Sequence, residues 1–275
     1  MKKTLLVVVS LAVAVAGAQA QIALFGKKNK GGYKSAKDSI TAAAKPVAEI
    51  IATPKVKKDY SKIDVSNRTA DHFMLQFGSD TWTNRPDSVR TKGFSRHFNL
   101  YFMLDKPFKN DPRYSVGFGA GIGSSNMFFD KTYVNLKGTG STLAFTNQDG
   151  ADHYNKFKLT TIFLELPVEL RYFSNPENAN KSWKFAVGAK VGTLLKAYTK
   201  GKDWQNKDGR SYFGSSYISK EYSKKFINST KVAVSGRVGY GIFSLHGDFQ
   251  ITPIIKDGYG PSMNAYSIGL CVSGL

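Results

Sequence analysis

Tyr114-Ser115-Val116-Gly117-Phe118-Gly119-Ala120-Gly121-Ile122-Gly123 is the stretch whose reading decides the fold. Tyr114, Val116, Phe118, Ala120 and Ile122 alternate with Ser115, Gly117, Gly119, Gly121 and Gly123. A period of two puts the sets on opposite faces of one β-strand, whereas a helical period would mix them. A water-facing surface gives no reason for five alternating small residues. A narrow interior does, because large side chains from elsewhere must fit against that face.

The same alternation recurs along the chain. In Asp71–Trp82, Phe73, Leu75 and Phe77 oppose Met74, Gln76 and Gly78. In Phe94–Asp105, Phe94, Phe98, Leu100, Phe102 and Leu104 oppose Ser95, His97, Asn99 and Tyr101. In Lys158–Tyr172, Ile162, Leu164, Leu166, Val168, Leu170 and Tyr172 oppose Thr161, Glu165, Pro167, Glu169 and Arg171. Trp183, Phe185, Val187, Ala189, Val191 and Leu195 oppose Lys184, Gly188, Lys190, Gly192 and Lys196. Three shorter segments follow, with apolar faces Val232–Tyr240, Phe243–Ile251 and Tyr266–Val272. Their opposite faces carry Lys231, Ser235 and Arg237, then Ser244, His246 and Asp248, then Ser267, Gly269 and Cys271. Pro167 cannot donate a ladder hydrogen bond and predicts a bulge or irregular pairing.

Eight alternating segments predict an all-β fold, an eight-stranded antiparallel up-and-down barrel. Alternation alone admits two versions, a soluble lipocalin-like ligand-binding barrel and a transmembrane barrel with its apolar face in lipid. Three features favour the second. The polar face mixes small residues with charges of both signs, which can fill a narrow interior. The connections 81–93, 124–157 and 199–226 are longer than 106–113, 173–182 and 241–242, as external loops exceed periplasmic turns. Tyr114, Tyr172, Trp183, Tyr240 and Phe243 fall at the strand ends that this topology assigns to the periplasmic side, forming an aromatic girdle.

Composition by itself points elsewhere. The 275 residues carry 39 Lys and Arg against 20 Asp and Glu, a net charge of +19, the balance of a nucleic-acid-binding protein. The N-terminus argues against that. Lys2 and Lys3, the apolar run Leu5–Val15 and Ala18-Gln19-Ala20 predict a secretory signal peptide over residues 1–20, and an exported chain does not meet cellular nucleic acid. Residues 21–69 hold 11 Lys and Arg against 4 Asp and Glu and read as a basic periplasmic arm or linker. Ala36, Ile40, Ala43 and Val47 there allow one short helix. Residues 70–275 form the predicted barrel domain. The single cysteine, Cys271, excludes an intramolecular disulfide and multi-cysteine metal sites.

No HExxH or GxSxG motif is present, and no cofactor or metal is expected. Inward parity predicts a network of paired charges from Glu165, Glu169, Arg171, Lys190, Lys231, Arg237, His246 and Asp248, because a buried charge must be paired. His246 and Asp248 share one face, so a barrel-embedded hydrolase is the enzymatic alternative. Segment 199–226 carries seven Lys and Arg against three Asp and Glu, interleaved with aromatics. Lys200, Lys202, Trp204, Lys207, Arg210, Tyr212 and Phe213 make it a candidate contact loop for lipopolysaccharide or an envelope protein.

Leu164-Glu165-Leu166-Pro167-Val168-Glu169-Leu170-Arg171-Tyr172 and Tyr240-Gly241-Ile242-Phe243 carry a family resemblance. Thr252-Pro253-Ile254-Ile255-Lys256-Asp257-Gly258 and Ser267-Ile268-Gly269-Leu270 add to it. Residues 70–275 resemble the PorT-like outer-membrane β-barrel proteins of Bacteroidetes-type bacteria. The resemblance implies an integral outer-membrane barrel without a catalytic motif. One family member is linked to the type IX secretion apparatus, so secretion-machinery proteins are implied as possible partners. The expected function is a non-enzymatic structural, surface-interaction or secretion-accessory barrel.

Overall fold

The computed structural model describes residues 72–274. The predicted signal peptide and the whole of the basic arm with its short helix lie outside the described residues, as does Leu275.

Alternating residues build strands β1 (Phe73–Thr83), β2 (Arg96–Pro107) and β3 (Tyr114–Phe129). A small hairpin, β4 (Thr132–Asn135) and β5 (Ala144–Asn147), follows. Then come β6 (His153–Phe173), β7 (Trp183–Gln205) and β8 (Ile218–Tyr222). The last three are β9 (Thr230–Tyr240), β10 (Phe243–Gln250) and β11 (Asn264–Ser273). Eight of these close a ring in the order β6-β3-β2-β1-β11-β10-β9-β7, with β7 returning to β6. Every ring pairing is antiparallel. Closure removes sheet edges, which lets strands cross a bilayer with their backbone groups satisfied. The tightest connection joins β9 to β10 through Gly241-Ile242, where Gly241 takes φ +63°. A two-residue hairpin with glycine first needs that positive φ.

The side-chain pattern inverts along the barrel axis. In the girdle half, Leu164, Leu166, Val168 and Leu170 of β6 are exposed, while Glu165, Glu169 and Arg171 are buried. Further along the same strand, Phe157 and Leu159 are buried and Lys156 is exposed. The inward parity never changes; the chemistry does. Met127, Phe129, Phe157, Leu159, Phe163 and Leu194 are among the residues that join Phe226, Ile227 and Ile254 in one apolar cluster closing the hairpin end. Val134, Leu136 and Leu143 from the β4–β5 region complete this cap.

Two sequence expectations are corrected. Much of 124–157 and 199–226 is strand, not loop, because β3, β6 and β7 continue past the apolar belt. Lys200, Lys202 and Trp204 therefore stand on β7, while Lys207, Arg210, Tyr212 and Phe213 lie in the turn before β8. Pro167 does interrupt pairing, since the β3–β6 ladder skips Leu166 and Pro167 opposite Ala120 and Gly119, but it makes no bulge and stays in register with Lys190. The register shifts instead between Ile162 and Phe163, whose partners are Lys196 and Leu194, so Leu195 is the extra residue. The bulge turns Lys196 outward rather than inward and leaves Leu194 buried and Leu195 exposed.

Candidate functional site

Alternation delivers charged side chains into the ring, and the glycine row gives them space. A Cβ at Gly117 would collide with the Arg171 guanidinium, and one at Gly123 would sit 2.6 Å from Glu165 Oε1. Small residues on β3 are therefore the counterpart of long residues on β6.

Two carboxylates organise the interior. Glu169 Oε2 accepts from Arg237 Nη2 at 2.7 Å and from Arg171 Nε at 3.0 Å. Arg171 Nη1 also donates to Asp105 Oδ1 at 3.4 Å. Glu165 Oε1 accepts from Lys231 at 2.8 Å, and its Oε2 accepts from the Tyr101 hydroxyl at 2.5 Å. Lys190 donates to Asp248 Oδ2 at 2.8 Å and to Gln76 Oε1 at 3.3 Å. Asp80, Asp105, Glu165, Glu169 and Asp248 thus share the interior with Arg171, Lys184, Lys190, Lys231 and Arg237. Five negative charges meet five positive ones, the balance that a desolvated network requires.

A histidine pair joins two of these carboxylates. His97 Nδ1 lies 2.7 Å from Asp80 Oδ1, and His97 Nε2 lies 3.1 Å from His246 Nε2. With His97 donating through Nδ1, its Nε2 accepts from the His246 Nε2–H. His246 Nδ1 is 3.4 Å from Asp248 Oδ2 but not aligned for a hydrogen bond. Ser267 donates to Asp80 Oδ1 at 2.6 Å, and Ser125 donates to the other Asp80 oxygen. These two hydroxyls are thus turned to a carboxylate rather than an imidazole. Between this layer and the apolar cap lies a cavity of about 40 Å³, bordered by Asp80, Asp248 and Lys231 below and Trp82, Phe163 and Ile254 above. That is room for one or a few waters.

All eight residues of the expected network lie inside the ring. Inward parity also places Asp80, Asp105, Gln76 and Tyr101 there, four residues that the expected network omits. Asp80 lies two pleat repeats beyond Gln76 and Asp105 four beyond His97 on the same parity, so the signal is present along each strand. The girdle residues stand together on the outer wall at the opposite end from the cap. Tyr114 pairs with Tyr172 at a ring separation of 5.1 Å, and Trp183 with Tyr240 at 5.6 Å. Phe243 sits opposite Tyr240 and is exposed.

A closed ring with an apolar outer wall, an aromatic rim and an ion-paired interior defines an integral outer-membrane β-barrel protein. The family of the outer membrane protein beta-barrel domain matches residues 56–256, and the chain belongs to it. No match was found among curated proteins. Family and outward-facing apolar wall together overturn the soluble lipocalin-like alternative, in which the apolar face would point inward.

Proposed function

We propose that this outer-membrane barrel is non-enzymatic and acts as a structural and surface-interaction element, with a PorT-like role as a secretion-machinery accessory. The N-terminal arm is on the periplasmic side and the capped hairpin end is outside. The carrying observation is the occupied interior: the Glu165 and Glu169 networks fill the girdle half and the apolar cluster around Phe226 fills the other. A filled eight-stranded barrel leaves its walls and projecting hairpins to do the work. Reconstitution in planar bilayers tests this: no stable conductance is expected, and large stable conductances would refute the filled interior. The enzymatic alternative is tested with His246→Ala and Asp248→Ala in lipid and peptide hydrolysis assays. An activity of the parent protein that vanishes in both variants would establish the hydrolase instead.

A further inference from the structure

Above the bulge, the outer wall of β6, β7 and β8 carries lysines in register. Lys158 is directly opposite Lys200, and Lys200 is directly opposite Lys220, so one cross-strand row holds three ammonium groups. The next row outward sets Lys156 against Lys202. Adjacent strands lie about 5 Å apart, so the three backbones of the first row span about 10 Å. Like charges directly opposite one another destabilise a sheet. No carboxylate relieves them: the other residues on this outward face are Tyr154, Thr160, Tyr198, Trp204, Ile218 and Tyr222. Among the described residues no Asp or Glu forms an ion pair with Lys156, Lys200, Lys202 or Lys220. Lys158 donates to Asn126 Oδ1 at 2.6 Å, which orients its ammonium without neutralising it.

The surroundings define what fits. The row beneath the three lysines sets Tyr198 opposite Tyr222, with their rings 5.2 Å apart. Beneath the tyrosines come Ile162 and the outward-turned Lys196, and below them the exposed aliphatic wall of Leu164, Leu166, Val191 and Leu195. Lysine row, tyrosine pair and aliphatic wall succeed one another along the same strands. Amphipathic rings of this kind sit at the headgroup level of a membrane, which places the lysines at the depth of lipid phosphates. A free anion would use the lysines alone; only an amphiphile uses the wall below them as well.

We infer that the in-register row Lys158–Lys200–Lys220 is a binding site for the phosphates of a phosphorylated acyl glycolipid of the lipid A type, whose acyl chains lie along the wall below. This deepens the surface-interaction reading by naming one ligand class. It rests on the hairpin end facing the leaflet that holds such lipids, but not on the absence of catalysis or of a pore.

The test uses the full chain in detergent, with bis-phosphorylated lipid A as probe and native mass spectrometry as readout. At least one lipid A is expected to stay bound. Lys158→Gln/Lys200→Gln/Lys220→Gln is expected to weaken retention tenfold or more, with heat-modifiable gel mobility unchanged as the folding control. The charge-matched control Lys92→Gln/Lys131→Gln/Lys137→Gln, at exposed lysines away from this wall, is expected to retain the lipid. Equal loss in the control would mean diffuse charge rather than a site, and would overturn the inference. Equal retention of dephosphorylated lipid A would overturn it too, as would displacement by inorganic phosphate at matched concentration. A lysine-dependent envelope-protein crosslink without lysine-dependent lipid A retention would assign the row to a protein partner instead. Labelling Gly209→Cys from outside intact cells reads the orientation separately.

Discussion

The girdle half and the capped half of this barrel are built from the same strands with opposite chemistry. In the girdle half, β6 turns Leu164, Leu166, Val168 and Leu170 outward and Glu165, Glu169 and Arg171 inward. In the capped half it turns Lys156 outward and Phe157 and Leu159 inward. The difference teaches where each solvent begins. Against lipid there is no hydrophobic gain in hiding apolar side chains, so the wall is apolar and the narrow interior is held by charge pairs. Once the strands leave lipid for water, the ordinary rule returns and the interior becomes an apolar core. The crossover lies at Phe163, Leu194 and the Leu195 bulge, and the cavity beside Asp80, Asp248 and Lys231 lies where the two chemistries meet.

The largest effect should come from breaking the polar half. Glu169→Gln keeps the side-chain volume but removes the carboxylate that Arg171 and Arg237 share. Breaking a buried pair on one side costs about 3–5 kcal/mol, and two cations lean on this acceptor. The urea midpoint of the heat-modifiable band should fall markedly. An unchanged midpoint would mean that the girdle half is held by its backbone ladders and not by its charges.

Next comes the cap. Phe226 is fully buried in the apolar cluster, and Phe226→Ala should cost about 3 kcal/mol through lost burial and the cavity left behind. That loss should stay local, because the ion-paired girdle half lies outside the cluster that holds Phe226. Hydrogen exchange should accelerate at β4 and β5 while gel mobility of the barrel band stays native. If the whole barrel unfolds earlier, the two halves are one cooperative unit and the division drawn above fails.

A third change probes the fit between β3 and β6. Gly123→Val would place a branched side chain where a Cβ already meets Glu165 Oε1 at 2.6 Å and Asn99 Oδ1 at 3.1 Å. Overpacking of this kind costs about 1–3 kcal/mol. Lys231→Ala in the same background should recover little, since the strain is against Glu165 itself. Full recovery would show that the side chain of Glu165 relocates freely once its ammonium partner is gone.

The inversion also explains how much could be read in advance. The eight ring strands were legible because the apolar set keeps one parity throughout the lipid-facing half: Phe118 and Ile122 on β3, Leu164 to Leu170 on β6. Past the crossover the apolar set moves to the other parity, to Met127 and Phe129 on β3 and to Phe157 and Leu159 on β6. A one-residue phase change reads as the end of a strand, so the extensions of β3, β6 and β7 read as loop. Lys200 and Lys202 fall in the segment expected as a contact surface, but their registry with Lys158, Lys156 and Lys220 depends on pairing that no local pattern reports. The contact between the two histidines is hidden from the sequence for the same reason. His97 and His246 are 149 positions apart and meet only because β2 and β10 face each other across a narrow interior.

The smallest effect belongs to the exposed charges of the hairpin end. Asp149 accepts from Lys131 Nζ at 2.9 Å and from Arg90 Nη1 at 3.3 Å. The hydrogen bond from Lys131, then its charge, then Arg90 hold the Asp149 carboxyl below its ordinary value. A depressed carboxylate contributes stability that is fully present above its unfolded value and is lost as pH falls through the folded one, below about pH 4. Both partners are half exposed, so water and salt screen the attraction. Asp149→Asn should therefore barely move the hydrogen exchange of β4 and β5 at neutral pH. The wild-type and variant profiles should merge in acid and again at roughly 1 M salt. If Asp149→Asn instead loosens β4 and β5 as much as Phe226→Ala does, the hairpin end is held by its surface charges. The contrast between an ion-paired half and an apolar half would then be wrong at its apolar end.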